Sequence, residues 1–95
     1  MRWLVERRLR GLTHSVQRAR QELSILDEQI EQVSEEAEDA RIRAMVAETP
    51  IAAHDSFHAQ RSADTLIKAR ASVAAKIEAM RVEQDRLLDE LGSSQ

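Results

Sequence analysis

Apolar residues recur at alternating intervals of four and three along the first half of the chain, and no polar residue interrupts the series. The series is Val5, Leu9, Leu12, Val16, Ala19, Leu23, Leu26, Ile30, Val33, Ala37, Ala40, Ala44 and Ala47. This spacing is that of the core positions of a coiled coil, and it predicts one long α-helix with a narrow apolar strip. A strip this narrow is not covered by its own helix, so a second helix must pack on it. The all-alanine end of the series allows close approach of the two helix axes.

Thr49-Pro50 interrupts this pattern and predicts the start of a second helix. Proline disfavours a helical interior, whereas threonine is a good N-cap and proline a favoured first helical residue. We therefore expect helix 1 over about residues 2–48, a turn at 48–50, helix 2 over about 50–91 with a cap at Gly92, and a frayed tail over 92–95. The core positions of helix 2 are Ala52, Ser56, Ala59, Ala63, Leu66, Arg70, Val73, Ile77, Met80, Gln84, Leu87 and Leu91.

The fold class that follows is all-α: an antiparallel two-helix coiled-coil hairpin, with residues 1–95 as a single domain. The alternative is one long helix kinked at Pro50, because the turn lacks the glycine that commonly ends a helix. Continuing the first series through the proline would place His54, His58 and Arg61 in the core. Because polar residues are disfavoured in a core, the kinked helix is the less favourable of the two, and the sequence favours the hairpin.

Folding the helices together sets Leu9 opposite Leu87 and brings the alanine ends together beside the turn. The flanking residues then form three pairs of opposite charge, which are Arg8–Glu90, Glu22–Lys76 and Arg43–Asp55. Arg70 and Gln84 are polar residues at core positions. Arg70 either reaches Asp27 or Glu31, or packs its stem and keeps its guanidinium in water.

Composition adds expectations about class and location. Charged residues make up 33% of the chain, and only Trp3 and Phe57 are aromatic, which is typical of long helices. Two helices bury little area for this length, so we expect a homodimer forming a four-helix bundle. There is no cysteine, no transmembrane-length apolar run and no signal-peptide core. We expect a cytoplasmic protein without a membrane partner; abundant arginine and alanine suggest a bacterial source.

Apolar residues outside the core positions indicate a contact surface for another protein. One group surrounds the turn and is called the hairpin tip here: Ile42, Met45, Val46, Ile51 and Phe57. The second group follows one edge of helix 2 and is called the helix 2 stripe: Ile67, Ala74 and Leu88. The alternative is that these are single surface residues of the common kind. We expect the two groups to bind a second copy or a different protein.

The charges are divided along the chain, with arginines in the first twenty residues and only acidic charges from Glu22 to Asp39. We expect the opposite helix to neutralise most of this asymmetry. The alternative is a nucleic-acid or ribosome contact through Arg2, Arg7, Arg8 and Arg10.

Candidate chemistry is sparse. His54 and His58 have the four-residue spacing of a helical metal site, but no third histidine is near, so we expect no metal. We find no phosphate-binding loop, no converging catalytic triad and no cofactor motif. The sequence therefore predicts a non-enzymatic protein-protein interaction module, such as an adaptor, assembly factor or regulator, without a small-molecule substrate.

Overall fold

Two long helices make up the fold, and the computed structural model describes residues 1–93 of the chain. Helix α1 spans Arg2–Ala47 and helix α2 spans Pro50–Ser93, and the described residues contain no strand. The predicted all-helical class is confirmed, and the arrangement is consistent with a helical hairpin. In particular, Arg70 contacts Asp27, which a continuous helix would place many turns away. The alternative of one kinked helix is therefore wrong.

The turn between the helices is made by Glu48 and Thr49. Glu48 has a φ of 52°, and its N–H donates to the carbonyl of Ala44 at 3.1 Å. The hydroxyl oxygen of Thr49 accepts from the N–H of Ala52 at 3.2 Å, which confirms Thr49 as the N-cap of α2. Glu48 thus adopts the left-handed conformation that glycine usually supplies at a helix end. The turn therefore forms without a glycine.

The end of α2 differs from the prediction. The helix continues through Gly92 to Ser93, and Gly92 does not adopt a positive φ. The Ser93 hydroxyl donates to the carbonyl of Asp89 at 3.0 Å, in the manner of a residue within a helical turn. Gly92 is therefore a helical residue and not the cap, and the last two residues of the predicted tail lie outside the described residues.

Packing divides the chain into two compact units, each built from both helices. The first unit joins Met1–Leu23 with the described residues from Ser72 onward, and the second unit comprises Ser24–Ala71. The buried core of the first unit consists of Val16, Val73, Ile77 and Leu87. That of the second unit consists of Ala37, Ala40 and Ala63. The most deeply buried side chains are thus valine, isoleucine and leucine in the first unit and alanine in the second.

The predicted core positions match the observed burial closely. Every one of them in either helix is buried or half-buried except Ala47, which is exposed at the last turn of α1. The polar residues Arg70 and Gln84 are half-buried, as the heptad spacing requires. The assignment of core positions is confirmed, with Ala47 as the single correction.

Candidate interaction surfaces

An apolar groove of about 470 Å³ lies in the second unit beside the turn. Its lining residues are Ala40, Ile42, Arg43, Val46, Ala47, Ile51, Ala52 and Asp55. Alanine residues from both helices line the groove together with the larger Ile42, Val46 and Ile51. Val46 is 81% exposed and Ile51 is 71% exposed. The groove therefore presents apolar surface to solvent, the kind of feature that marks interaction sites.

The hairpin tip predicted from the sequence is only partly assembled into this groove. All five of its residues are exposed, and the structure brings Ile42, Val46 and Ile51 together in the groove lining. Met45 instead accepts a contact at its sulfur from Arg41 Nη1 at 3.1 Å. Phe57 lies with its ring centroid 5.7 Å from the guanidinium carbon of Arg61. These last two residues belong to the outer faces of their own helices.

The groove also contains residues that the prediction of a binding surface omitted. Arg43 and Asp55 were expected to pair with each other, but they form no ion pair in the described part of the chain, and both line the groove. Ala40, Ala47 and Ala52 were assigned to the core alone. Each of the three is an alanine at a core position, and their place beside the turn was the sequence feature that could have identified them.

The helix 2 stripe is divided between the two units. Ile67 lies in the second unit and is 48% exposed, whereas Ala74 and Leu88 lie in the first. Leu88 is exposed, and Ala74 is half-buried against its own unit. None of these three residues lines the groove beside the turn. Of the predicted stripe, only Ile67 and Leu88 are exposed apolar residues.

Few ion pairs join the two helices. Within residues 1–93, Arg8 Nε lies 3.3 Å from Glu83 Oε1, and Arg70 Nε contacts Asp27. The predicted pairs Arg8–Glu90 and Glu22–Lys76 do not form among these residues, and neither does Arg43–Asp55. Arg86 contacts both Glu83 and Glu90 from one turn away, so Glu90 already has a local partner. The expectation that the opposite helix neutralises most charges is wrong. Of the two alternatives left open for Arg70, the structure shows the contact with Asp27.

Glu83 is the most strongly perturbed acid of the first unit. The guanidinium of Arg86 donates to it at 2.7 Å and that of Arg8 donates at 3.3 Å. These hydrogen bonds favour the ionised carboxylate, chiefly through Arg86, and lower the pKa of Glu83 to about 2. The carboxylate therefore stays charged well into the acidic range.

This pKa predicts how stability depends on pH. Because the folded-state pKa of Glu83 is below its ordinary value of 4.5, the stabilisation is complete above pH 4.5 and is lost as pH falls through 2. The stability difference between wild type and Glu83→Gln should shrink over that interval, as chemical denaturation at several pH values measures. In Arg86→Gln the pKa of Glu83 should rise more than in Arg8→Gln, and the reverse order in an NMR titration would contradict the assignment.

The amino-terminal arginines have different environments. Arg2 Nε lies 3.1 Å from Glu6 Oε1, and Arg8 is held by Glu83. Arg7 and Arg10 are exposed and make no ion pair within the described residues. An open depression in the same unit is lined by Arg8, Gly11, Leu12, His14, Ser15 and Arg18. Two of the four arginines proposed for nucleic-acid contact are thus available to an external partner.

The two histidines of α2 lie against each other. The ring centroids of His54 and His58 are 4.3 Å apart, with the rings edge to face. Across residues 1–93, the structure contains no group of three or more histidine, aspartate or glutamate side chains placed to hold a metal ion.

Comparison of the chain with protein-family models, curated protein sequences and solved structures finds no match. The described helices contain no apolar stretch of the length and hydropathy that crossing a lipid bilayer requires.

Proposed function

We propose that the protein is a non-enzymatic interaction module, acting as an adaptor, assembly factor or regulator that binds a second protein through the groove beside the turn. The observation that supports this function is the exposure of Val46 and Ile51 at the border of an apolar groove. Covering apolar surface contributes about 25 cal/mol per Å². A partner side chain that fills the groove therefore gains affinity from surface that is already apolar and solvent-exposed.

The charges beside the groove define the chemistry of the proposed partner. Arg43 and Asp55 both line the groove and have no ion-pair partner among residues 1–93. A segment with an apolar anchor, flanked by an acidic group facing Arg43 and a basic group facing Asp55, would satisfy the site. Such flanking charges fix orientation and steer encounter more than they add affinity.

Substitution of the groove residues tests this function. In a pull-down from the native cell, Val46→Asp and Ile51→Asp should each lose the bound protein, because each removes apolar contact area and adds a carboxylate that loses its water when the partner covers the groove. Ser62→Asp places the same group on an exposed position of α2 in the same unit and should retain it. Binding that survives both groove substitutions would refute this site.

The salt dependence of binding distinguishes apolar association through the groove from binding that depends on charged residues. Association through the groove should persist when salt is raised from low to moderate concentration, because apolar burial is not screened by ions. A photo-reactive amino acid at Val46 should cross-link to the partner, and one at Ser62 should not. Cross-linking from both positions would contradict a defined groove site.

We further propose that the chain forms a homodimer in the cytoplasm, with four helices in the assembly. Support comes from the small number of buried side chains in each unit. The helix 2 stripe, through Ile67 and Leu88, offers further apolar surface to a second copy or to a different protein. Light scattering after size exclusion measures this directly, and a mass of 10.8 kDa at high concentration would contradict a dimer.

A second candidate function is nucleic-acid or ribosome binding through the amino-terminal arginines. It is supported by the absence of ion-pair partners for Arg7 and Arg10 among the described residues. Such binding should weaken steeply as salt increases, since phosphate contacts release counterions. Arg7→Glu with Arg10→Glu should abolish it, whereas Val46→Asp should leave it unchanged.

A further inference from the structure

Two exposed strips of α1 carry opposite charge at the same spacing. In the first unit, the basic strip comprises Trp3, Arg7, Arg10 and His14, which follow one another at intervals of four, three and four. In the second unit, the acidic strip comprises Glu31, Glu35, Glu38 and Ile42, at the same intervals. All eight residues are exposed. Intervals of four and three keep each strip on one face of the helix.

The two strips match when they run in opposite directions. Read backwards, the acidic strip is one apolar residue followed by three carboxylates, and the basic strip is one apolar residue followed by two arginines and a histidine. An antiparallel contact at this spacing sets corresponding positions opposite each other. The pairs are Trp3 with Ile42, Arg7 with Glu38, Arg10 with Glu35 and His14 with Glu31.

These groups are available for such a contact. Within residues 1–93, no ion pair involves Arg7, Arg10, Glu31 or Glu35. Glu38 is paired with Arg41 of the next turn at 2.6 Å. Both carboxylate oxygens of Glu38 accept from Arg41, at 2.6 and 3.0 Å. Each oxygen has a further acceptor site, so a second guanidinium can bind beside this local pair.

We propose that two copies of the chain associate through these strips, the basic strip of each lying antiparallel on the acidic strip of the other. Both copies use the same surfaces, so the contact closes a dimer. This inference deepens the proposed self-association by naming the surface that carries it. The acidic strip shares Ile42 with the groove, but the charge-reversal variants leave Ile42, Val46 and Ile51 unchanged. Loss of this dimer in those variants and loss of groove binding in Val46→Asp or Ile51→Asp are therefore separate results.

Charge reversal on either strip gives the decisive variants. Arg7→Glu with Arg10→Glu makes both strips acidic, and Glu35→Arg with Glu38→Arg makes both basic. Each double variant should elute as a monomer of 10.8 kDa under low-salt conditions where the wild type has twice that mass. An equimolar mixture of the two variants should recover the dimer mass, because each variant then faces strips of opposite charge.

Trp3 supplies an independent signal, since it is the single tryptophan of the chain and is 56% exposed. Its emission should shift to shorter wavelength as the wild type is concentrated, and again when the two variants are mixed. The dissociation constant should rise by about 10-fold or more between low and high salt, because exposed charges are screened.

Control variants guard against unfolding and against effects of net charge. Arg7 and Arg10 are exposed, and glutamate and arginine have similar helix propensities, so circular dichroism should show Arg7→Glu with Arg10→Glu to be as helical as wild type. Lys68→Glu with Arg81→Glu makes the same charge change at exposed positions of α2 and should remain dimeric. A dimer that survives either strip reversal, or a mixture that stays monomeric, overturns the proposal. So does loss of nucleic-acid binding by Arg7→Glu with Arg10→Glu when the dimer persists.

Discussion

Replacement of Leu87 by alanine should lower the free energy of unfolding by about 2–4 kcal/mol, the range for removing a buried leucine side chain and leaving a cavity. Leu87 is only 3% exposed and belongs to the core of the first unit. Val73 and Ile77 of α2 are buried in the same core. Urea denaturation followed by circular dichroism measures the change.

The neighbouring residue provides the control. Leu88→Ala removes the same atoms from the same turn of α2, but Leu88 is 55% exposed. Its effect should stay within about 0.5 kcal/mol, as for most surface substitutions. Similar losses for the two variants would show that Leu88 is covered in solution, which would contradict the placement of Leu87 as the core residue of the pair.

The core was predictable from the sequence because one rule governs it throughout. The four-three spacing selects a single face of each helix, and burial of apolar surface is the dominant favourable term that orients a helix. Val16, Ile77 and Leu87 were each assigned from spacing alone and are buried. The turn was also predictable, because the Thr49 side chain caps a helix and the fixed φ of Pro50 suits a first helical residue. Both effects depend on neighbouring residues only.

Ion pairs between the helices were less predictable because each exposed pair contributes little, so several partners compete on nearly equal terms. Arg8 was expected to contact Glu90, one heptad away from the Glu83 that it contacts. Arg86 contacts both of these glutamates from within the same helix and so competes with Arg8 for each of them. The spacing of residues determines which side chains share a helix face. It does not determine which of several nearby partners a flexible charged side chain contacts.

The sequence predicts some of the apolar residues that line the groove, but it does not predict the shape of the groove. The sequence identifies Val46 and Ile51 as apolar residues outside the core, and they are exposed. Whether they border a space or a flat surface depends on how closely the two helices approach at Ala40 and Ala52. That distance follows from packing between residues far apart in sequence, which heptad spacing does not determine.

Packing of the two helices in the second unit is testable at Ala63. This residue is 2% exposed, and Ala37 and Ala40 of α1, in the same unit, are also small and buried. Ala63→Leu adds three carbons at this buried position, so we expect the helices to separate or side chains to leave their preferred rotamers. We expect a loss of about 1–3 kcal/mol in the free energy of unfolding, the usual result of overpacking.

The control for this substitution is Ala71→Leu, which adds the same carbons at an exposed position of α2 in the same unit. Alanine and leucine have similar helix propensities, so Ala71→Leu should change stability by less than about 0.5 kcal/mol. If Ala63→Leu instead stabilised the protein, the second unit would have to contain space beside Ala63, and the alanine core would not be closely packed. Because wider helix spacing would also reshape the groove bordered by Val46 and Ile51, the same variant should weaken partner binding although Ala63 does not line that groove.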